Sequence, residues 1–321
     1  MRIDVTLASM MMLTPTLVLS QTEPAYPAKP VRIIVPVAPG GSTDILSRLV
    51  AQRLTEVWRS QVVVENRPGG AGGMVGVDYV AKSAPDGYTL IMGYIGTFAF
   101  LPSVYPKMSY DPVRDFAPVS LVAMVPNMMA IHPSVPAKTI KELVALARSR
   151  PGQLNYGSSG NGSNSHVSVE YFKQLTGTDI LQIPYKGAGL TMIDLLGGHI
   201  TLTVTGVPPI IPHVRTNRLR ALGVATNQRL DIMPNVPTIA EAGVPGYEIT
   251  QWYGLLAPAG TPRDIVRKLN SEIVRYLQLP EAAAKMSSEG AIPTGNTPEQ
   301  FHELIKSEIP RWAKVLKAAG L

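Results

Sequence analysis

The chain has 321 residues, 45% hydrophobic and only 16% charged. That balance excludes a disordered segment, and the length fits two domains better than one core. The formal charge is +6 with no cysteine, which removes disulfides and thiolate metal sites. Lys and Arg are scattered, with Arg215, Arg218 and Arg220 the densest group, so the charge reads as solvated surface rather than the stripe of a nucleic-acid binder.

Arg2 precedes an apolar run from Val5 to Leu19 that ends at the small residue Ser20. This predicts a signal peptide over residues 1–20, cleaved near Ser20, and export to the periplasm; an apolar N-terminal helix of the mature fold is the alternative. The run is too short to span a membrane, and no later stretch reaches that length. Strands are then predicted at Val31–Val37, Val62–Val64 and Thr89–Met92, with helices at Asp44–Trp58 and Met74–Lys82. This βαβαβ order implies a parallel sheet with right-handed crossovers.

The pattern restarts downstream. Helices are predicted at Thr139–Ala147, Ser165–Leu175, Thr191–Leu196 and Ile210–Val214, and strands at Leu154–Gly157, Leu181–Tyr185, Ile200–Thr205 and Leu219–Ala225. The last third is helical, at Pro262–Leu279, Glu281–Ser288 and Pro298–Ala319. Thr261-Pro262 and Thr297-Pro298 each place Thr at an N-cap and Pro at the first helical position. A tail packing back on the first unit gives an α/β fold of two lobes, residues 21–125 with 252–321 and residues 126–251. The expected crossings are Leu121–Ala130 and Gln251–Leu256, with the ligand between the lobes beyond the carboxyl ends of the strands.

Four loops follow strands. Pro39-Gly40-Gly41-Ser42-Thr43-Asp44 leads into a helix, where free N–H groups, the helix dipole and two hydroxyls suit an anion; an ordinary capped helix start is the other reading. Gly157-Ser158-Ser159-Gly160-Asn161-Gly162-Ser163-Asn164-Ser165-His166 occupies the corresponding junction of the second unit, as an anion loop or a flexible surface loop. Two such junctions facing across a cleft make a clamp. Gly93–Thr97 and Thr203–Pro209, the latter with Thr205 and Gly206, are open between packing and binding. No G-x-G-x-x-G, P-loop, G-x-S-x-G or H-E-x-x-H pattern is present, so neither a cofactor nor a metal is expected. The five histidines are dispersed; of them only His166 adjoins a candidate site.

Further segments accompany these loops: Tyr26–Pro30, Val64–Gly69, Ala84–Leu90, Asn155–Gly162, Pro184-Tyr185-Lys186-Gly187, Leu195–Gly198, Pro237–Gly243 and Leu255–Pro262. In order along the mature chain, they resemble the Bug or TctC family, the periplasmic receptors of tripartite tricarboxylate transporters. The resemblance implies a Venus-flytrap fold with a discontinuous first lobe, two crossing strands at the hinge, and a ligand carboxylate held by amides and hydroxyls. By position it assigns Gly40, Gly41, Ser42, Thr43 and Asp44, with Thr97 nearby, to the first lobe. Ser158, Ser159, Gly160, Asn161, Ser163 and His166 fall to the second, with Tyr185 as a wall. Many relatives place Asp or Asn where this chain reads Thr205-Gly206-Val207, which argues against an amino-acid ligand. Trp252 and Tyr253 either stack on an aromatic ligand or pack in the core.

These observations lead to a monomeric receptor that takes a di-, tri- or aromatic carboxylate and hands it to the transporter's membrane components, without nucleic acid. A receptor for signalling is the alternative, and an exported hydrolase using Ser159 and His166 a remote one.

Overall fold

The computed structural model describes residues 26–105 and 107–318; the expected signal peptide lies outside them. The first lobe starts with β1 (Val31–Val35), α1 (Ser42–Trp58), β2 (Val62–Asn66), α2 (Met74–Ala81), β3 (Thr89–Tyr94) and the short α3 (Leu101–Val104). β4 (Phe116–Ile131) leads into α4 (Ile140–Ser149), β5 (Asn155–Ser158), α5 (Asn164–Thr176), β6 (Leu181–Pro184) and α6 (Ala188–Leu196). Next come β7 (Leu202–Gly206), α7 (Ile211–Arg215), β8 (Arg220–Val224) and β9 (Thr250–Pro258). The chain ends with α8 (Arg263–Leu277), α9 (Pro280–Ser288), β10 (Ile292–Pro293) and α10 (Pro298–Ala318).

The strands form one continuous order, β2-β1-β3-β9-β4-β7-β5-β6, with β8 and β10 also on β4. β1 is parallel to β2 and β3, and β5 to β6 and β7, whereas β9 runs antiparallel to β3 and β4. β1 and β3 are almost wholly buried, as near-continuous apolar runs between helical layers must be. β6 is instead an edge strand with Leu181 and Ile183 exposed.

β4 belongs to both half-sheets. Phe116–Pro126 ladders with β9, and from Asn127 onward the partners are β7 and β8. The change falls at Pro126, which has no N–H to offer a ladder. The return passage is short: Ile249 N–H donates to Ala225 O, and β9 begins at the next residue, paired with β4 and β3 alone.

The two predicted Thr-Pro helix starts differ. Thr297 makes a reciprocal capping box, its hydroxyl accepting from Gln300 N–H at 3.2 Å while Gln300 Oε1 accepts from Thr297 N–H at 3.0 Å. At α8 the cap position is Pro262, and the Thr261 hydroxyl turns back to donate to Pro258 O at 2.8 Å. Thr261 thus lies one residue before the cap, its hydroxyl oriented toward the strand end by that donation. Trp252 settles as core, 1% exposed and edge-on to Phe301 at 5.5 Å.

Candidate functional site

The loop after β1 delivers α1 with Gly41 at its N-cap in extended conformation. Gly40 has φ +88°, a region in which a side chain is strained. Asp44 holds this turn together. Its carboxylate accepts from Gly40 N–H at 3.1 Å, from Arg48 at 3.1 and 3.0 Å, and from Asn66 at 3.0 Å. Burial pushes the Asp44 carboxyl up, but hydrogen bonds from Arg48, Gly40 and Asn66 outweigh it and hold it below the ordinary range. With its oxygens used inward, Asp44 shapes the loop and does not line the cleft.

The second loop delivers α5. Ser163 is the N-cap and its hydroxyl accepts from His166 N–H at 3.3 Å. Ser165 Oγ accepts from Ser159 N–H at 2.7 Å and donates to Ser159 Oγ at 3.2 Å. His166 Nδ1 accepts from Gly162 N–H at 3.2 Å. Ser159 and His166 therefore have their hydrogen bonds elsewhere and do not form the nucleophile–base pair that a hydrolase requires.

Burial pushes the His166 imidazole below its ordinary value, against the pull of the Glu170 carboxylate and with the help of the Lys173 charge. Folding therefore favours neutral His166. Its contribution is complete above the unfolded value of about 6.5 and is lost as pH falls below it, since the unfolded chain takes the proton first. Melting followed from pH 7.5 to 5 should show a decline in stability that His166→Gln partly flattens; an unchanged profile would refute this role.

The two helix starts face one cavity. It is lined by Val37, Gly41, Ser42, Thr43, Tyr94, Ser159, Ser163, Asn164, Ser165, Ala188, Thr205, Gln251 and Tyr253. No charged side chain is among them. The cavity measures about 30 Å³, room for one or two waters, because the lobes are closed on one another. Ala38 N–H donates across the cleft to Lys186 O at 3.0 Å. A Cβ on Gly189 would overlap the Pro39 carbonyl, and one on Gly41 would lie 3.2 Å from Ala188 Cβ.

Of the residues expected from sequence, Gly41, Ser42, Thr43, Ser159, Ser163 and Thr205 line this cavity. The others support it. Thr97 is fully buried and its hydroxyl donates to Tyr94 O at 3.0 Å. Ser158 and Asn161 both accept from Gln182 Nε2, at 2.7 and 3.0 Å. Gly160, at φ +117°, backs onto Tyr185 O, while the Tyr185 hydroxyl donates to Asp194 at 2.5 Å and so turns from the cleft. Gly206 leaves room for the Ser42 hydroxyl from the opposite lobe. Tyr94, Asn164 and Ser165, which stood inside the candidate loops without being singled out as contacts, also line it, as do Gln251 on the expected crossing and Ala188, which sequence reasoning did not point to. The available signals were a lone amide in an apolar strand, for Gln251, and the small residue after Lys186-Gly187, for Ala188.

The model of the tripartite tricarboxylate transporter family receptors matches residues 46–321. The chain belongs to this family. Protein BugT of Bordetella pertussis is 38% identical over 296 residues, covering 92% of this chain and 90% of its own. The solved structure of R. palustris Rpa4515 with adipate is 41% identical, with TM-score 0.89, and covers 92% of this chain and 98% of its own. MatC (Rpa3494) from Rhodopseudomonas palustris with bound malate is 32% identical, with TM-score 0.86, over 90% and 99%. The fold is thus the two-lobed α/β fold of periplasmic binding proteins, within a family of substrate receptors.

Proposed function

We propose that the chain captures a small carboxylate between its lobes in the periplasm and delivers it to the membrane components of a tripartite tricarboxylate-type transporter. The observation that carries this reading is the pair of helix N-termini, α1 and α5, opening on one hydroxyl-rich cavity without a charged side chain. Free N–H groups and two positive dipole ends select an anion. Uncharged donors hold it without the desolvation cost of a buried arginine pair, which suits release as well as capture. Thr205 offers no counter-charge to an ammonium group, which favours a plain carboxylate over an amino acid. Adipate and malate, bound by the two similar structures, make dicarboxylates the first class to test.

The remaining expectations fit the same reading. The lobes comprise residues 21–125 with 252–321 and residues 126–251, supported by the change of strand partners at Pro126. The signal peptide over residues 1–20 accounts for export. Among the described residues no helix is long and apolar enough to cross a membrane. We take the receptor to act as a monomer and without catalysis.

A thermal-shift panel of di-, tri- and aromatic carboxylates against their amides tests the assignment. A ligand at 100 times its Kd should add about 2.7 kcal/mol and raise the melting temperature by a few degrees. The amide should do nothing, and Gly41→Val, whose side chain would block approach to the α1 amides, should abolish the shift. Equal shifts with acid and amide would sink the carboxylate assignment.

A further inference from the structure

The hinge carries a buried chain of side-chain hydrogen bonds that runs from β9, beside the start of α1, to the start of α5. Asn127, Gln251 and Tyr253 lie on β4 and β9, at most 3% exposed. The Tyr253 hydroxyl donates to Gln251 Oε1 at 2.7 Å, and Gln251 Nε2 donates to Asn127 Oδ1 at 2.6 Å. At the first-lobe end, Tyr253 lines the same cavity as Ser42 and Thr43. At the second-lobe end, Asn127 exchanges bonds with Asn164 at 3.0 and 3.2 Å and donates to Ser168 at 3.2 Å. Asn164 is the first residue of α5, and Ser42 the first of α1.

Both ends of the Gln251 amide are thus engaged by protein groups, although the residue lines the cavity. A bare β-strand needs no such network. Buried amides are costly when unpaired, and a network is favourable only when its members meet together. Bending the hinge at Pro126 and Thr250 would move the Tyr253 end with β9 and the Asn127 end with the second half of β4. Few other arrangements of the lobes keep every member paired. Gly206 tightens the requirement, since a Cβ there would overlap the Ser42 hydroxyl and come within 3.2 Å of Gln251 Nε2.

We propose that Tyr253, Gln251 and Asn127 are positioning residues: through the hinge they fix the separation of the α1 and α5 N-termini, and Gln251 acts on closure rather than on the ligand. Capture of a carboxylate at those termini is the reading given above, but the relay itself is defined without ligand.

The absence of native cysteine permits a direct test. Spin labels at Ser149→Cys and Ser271→Cys, exposed positions on opposite lobes, report the interlobe distance distribution, alone and with adipate or malate. The wild-type pair should populate a short, narrow distance. Gln251→Met, close in volume but unable to bridge, should broaden and lengthen it while circular dichroism and a cooperative melt persist. Tyr253→Phe should do the same to a smaller degree, and decides the matter if Gln251→Met fails to fold. Unchanged distributions in the folded variants would overturn the proposal. So would a single long distance in wild type and variants alike, with or without dicarboxylate, since the relay would have no closed state to hold. A short wild-type distance that neither dicarboxylate alters, lost in the variants, would support the relay while counting against those two ligands.

Discussion

Gly189→Ala should leave the protein folded and remove about 100-fold or more of its ligand affinity, about 2.8 kcal/mol. Gly189 sits in the first turn of α6. There a Cβ would overlap the Pro39 carbonyl and stand 3.4 Å from Gly40 Cα, both in the opposite lobe. Backbone on a packed strand–helix junction cannot yield as a flexible side chain would. The lobes are therefore propped apart, and the donors of α1 and α5 no longer converge. Within its own lobe the substitution is benign: alanine is preferred to glycine in a helix by about 1 kcal/mol. Calorimetric titration together with melting should show affinity lost while a cooperative ligand-free melt persists. Retained affinity would mean that binding does not require the Ala38–Lys186 contact.

Phe301→Ala should have the opposite profile, with a stability loss of about 4 kcal/mol. Phe301 is wholly buried on α10 and meets Trp252 edge-on at 5.5 Å. Its ring fills the space that a side chain at Gly254 would otherwise occupy, so deletion leaves a void between α10 and β9. The neighbouring anchor, Trp312 against Phe100 at 4.6 Å with its indole N–H on Glu308, fixes the helix and prevents collapse into that void. For a chain of this size a melting drop on the order of 10 °C follows. Phe301 does not line the cavity, so the folded fraction should bind normally. A melt within a degree or two of wild type would show that α10 contributes little to the first lobe.

Both positions illustrate what the sequence disclosed. The alternation of elements, the two glycine-serine loops and the crossing strands were legible because each rests on local chemistry: apolar period, turn residues, helix starts. Hydroxyls at Ser42, Thr43, Ser159 and Ser163 could be placed at the cleft because a strand–helix junction points that way in any such sheet. Asp44 and Tyr185 were expected at the ligand, yet their oxygens are taken by Arg48, Asn66 and Asp194, partners supplied by the local fold rather than by the motif. Gln251 and Ala188 enter the cavity from a hinge strand and from the first turn of α6, which meets its counterpart only on closure. Their contribution depends on the relative placement of two lobes, which no local pattern encodes. Thr261 departs for a related reason, since the helix start falls one residue later, at Pro262, and its hydroxyl donates to Pro258 O on the preceding strand end.

The interleaving of the two half-sheets also sets an order of assembly. β5, β6, β7 and β8 and the second half of β4 come from one contiguous stretch. In contrast, Tyr94 pairs with Tyr253 and Phe100 packs on Trp312, with that whole stretch in between. Joining distant segments pays loop-closure entropy before any contact repays it, so such pairings form late. A chain emerging N-terminus first can therefore complete its middle lobe while β3, although made earlier and paired with β1, still waits for β9. The lobe that begins the sequence is the last to finish, and its apolar β3 face is the surface that must be kept from premature association until the C-terminal helices arrive.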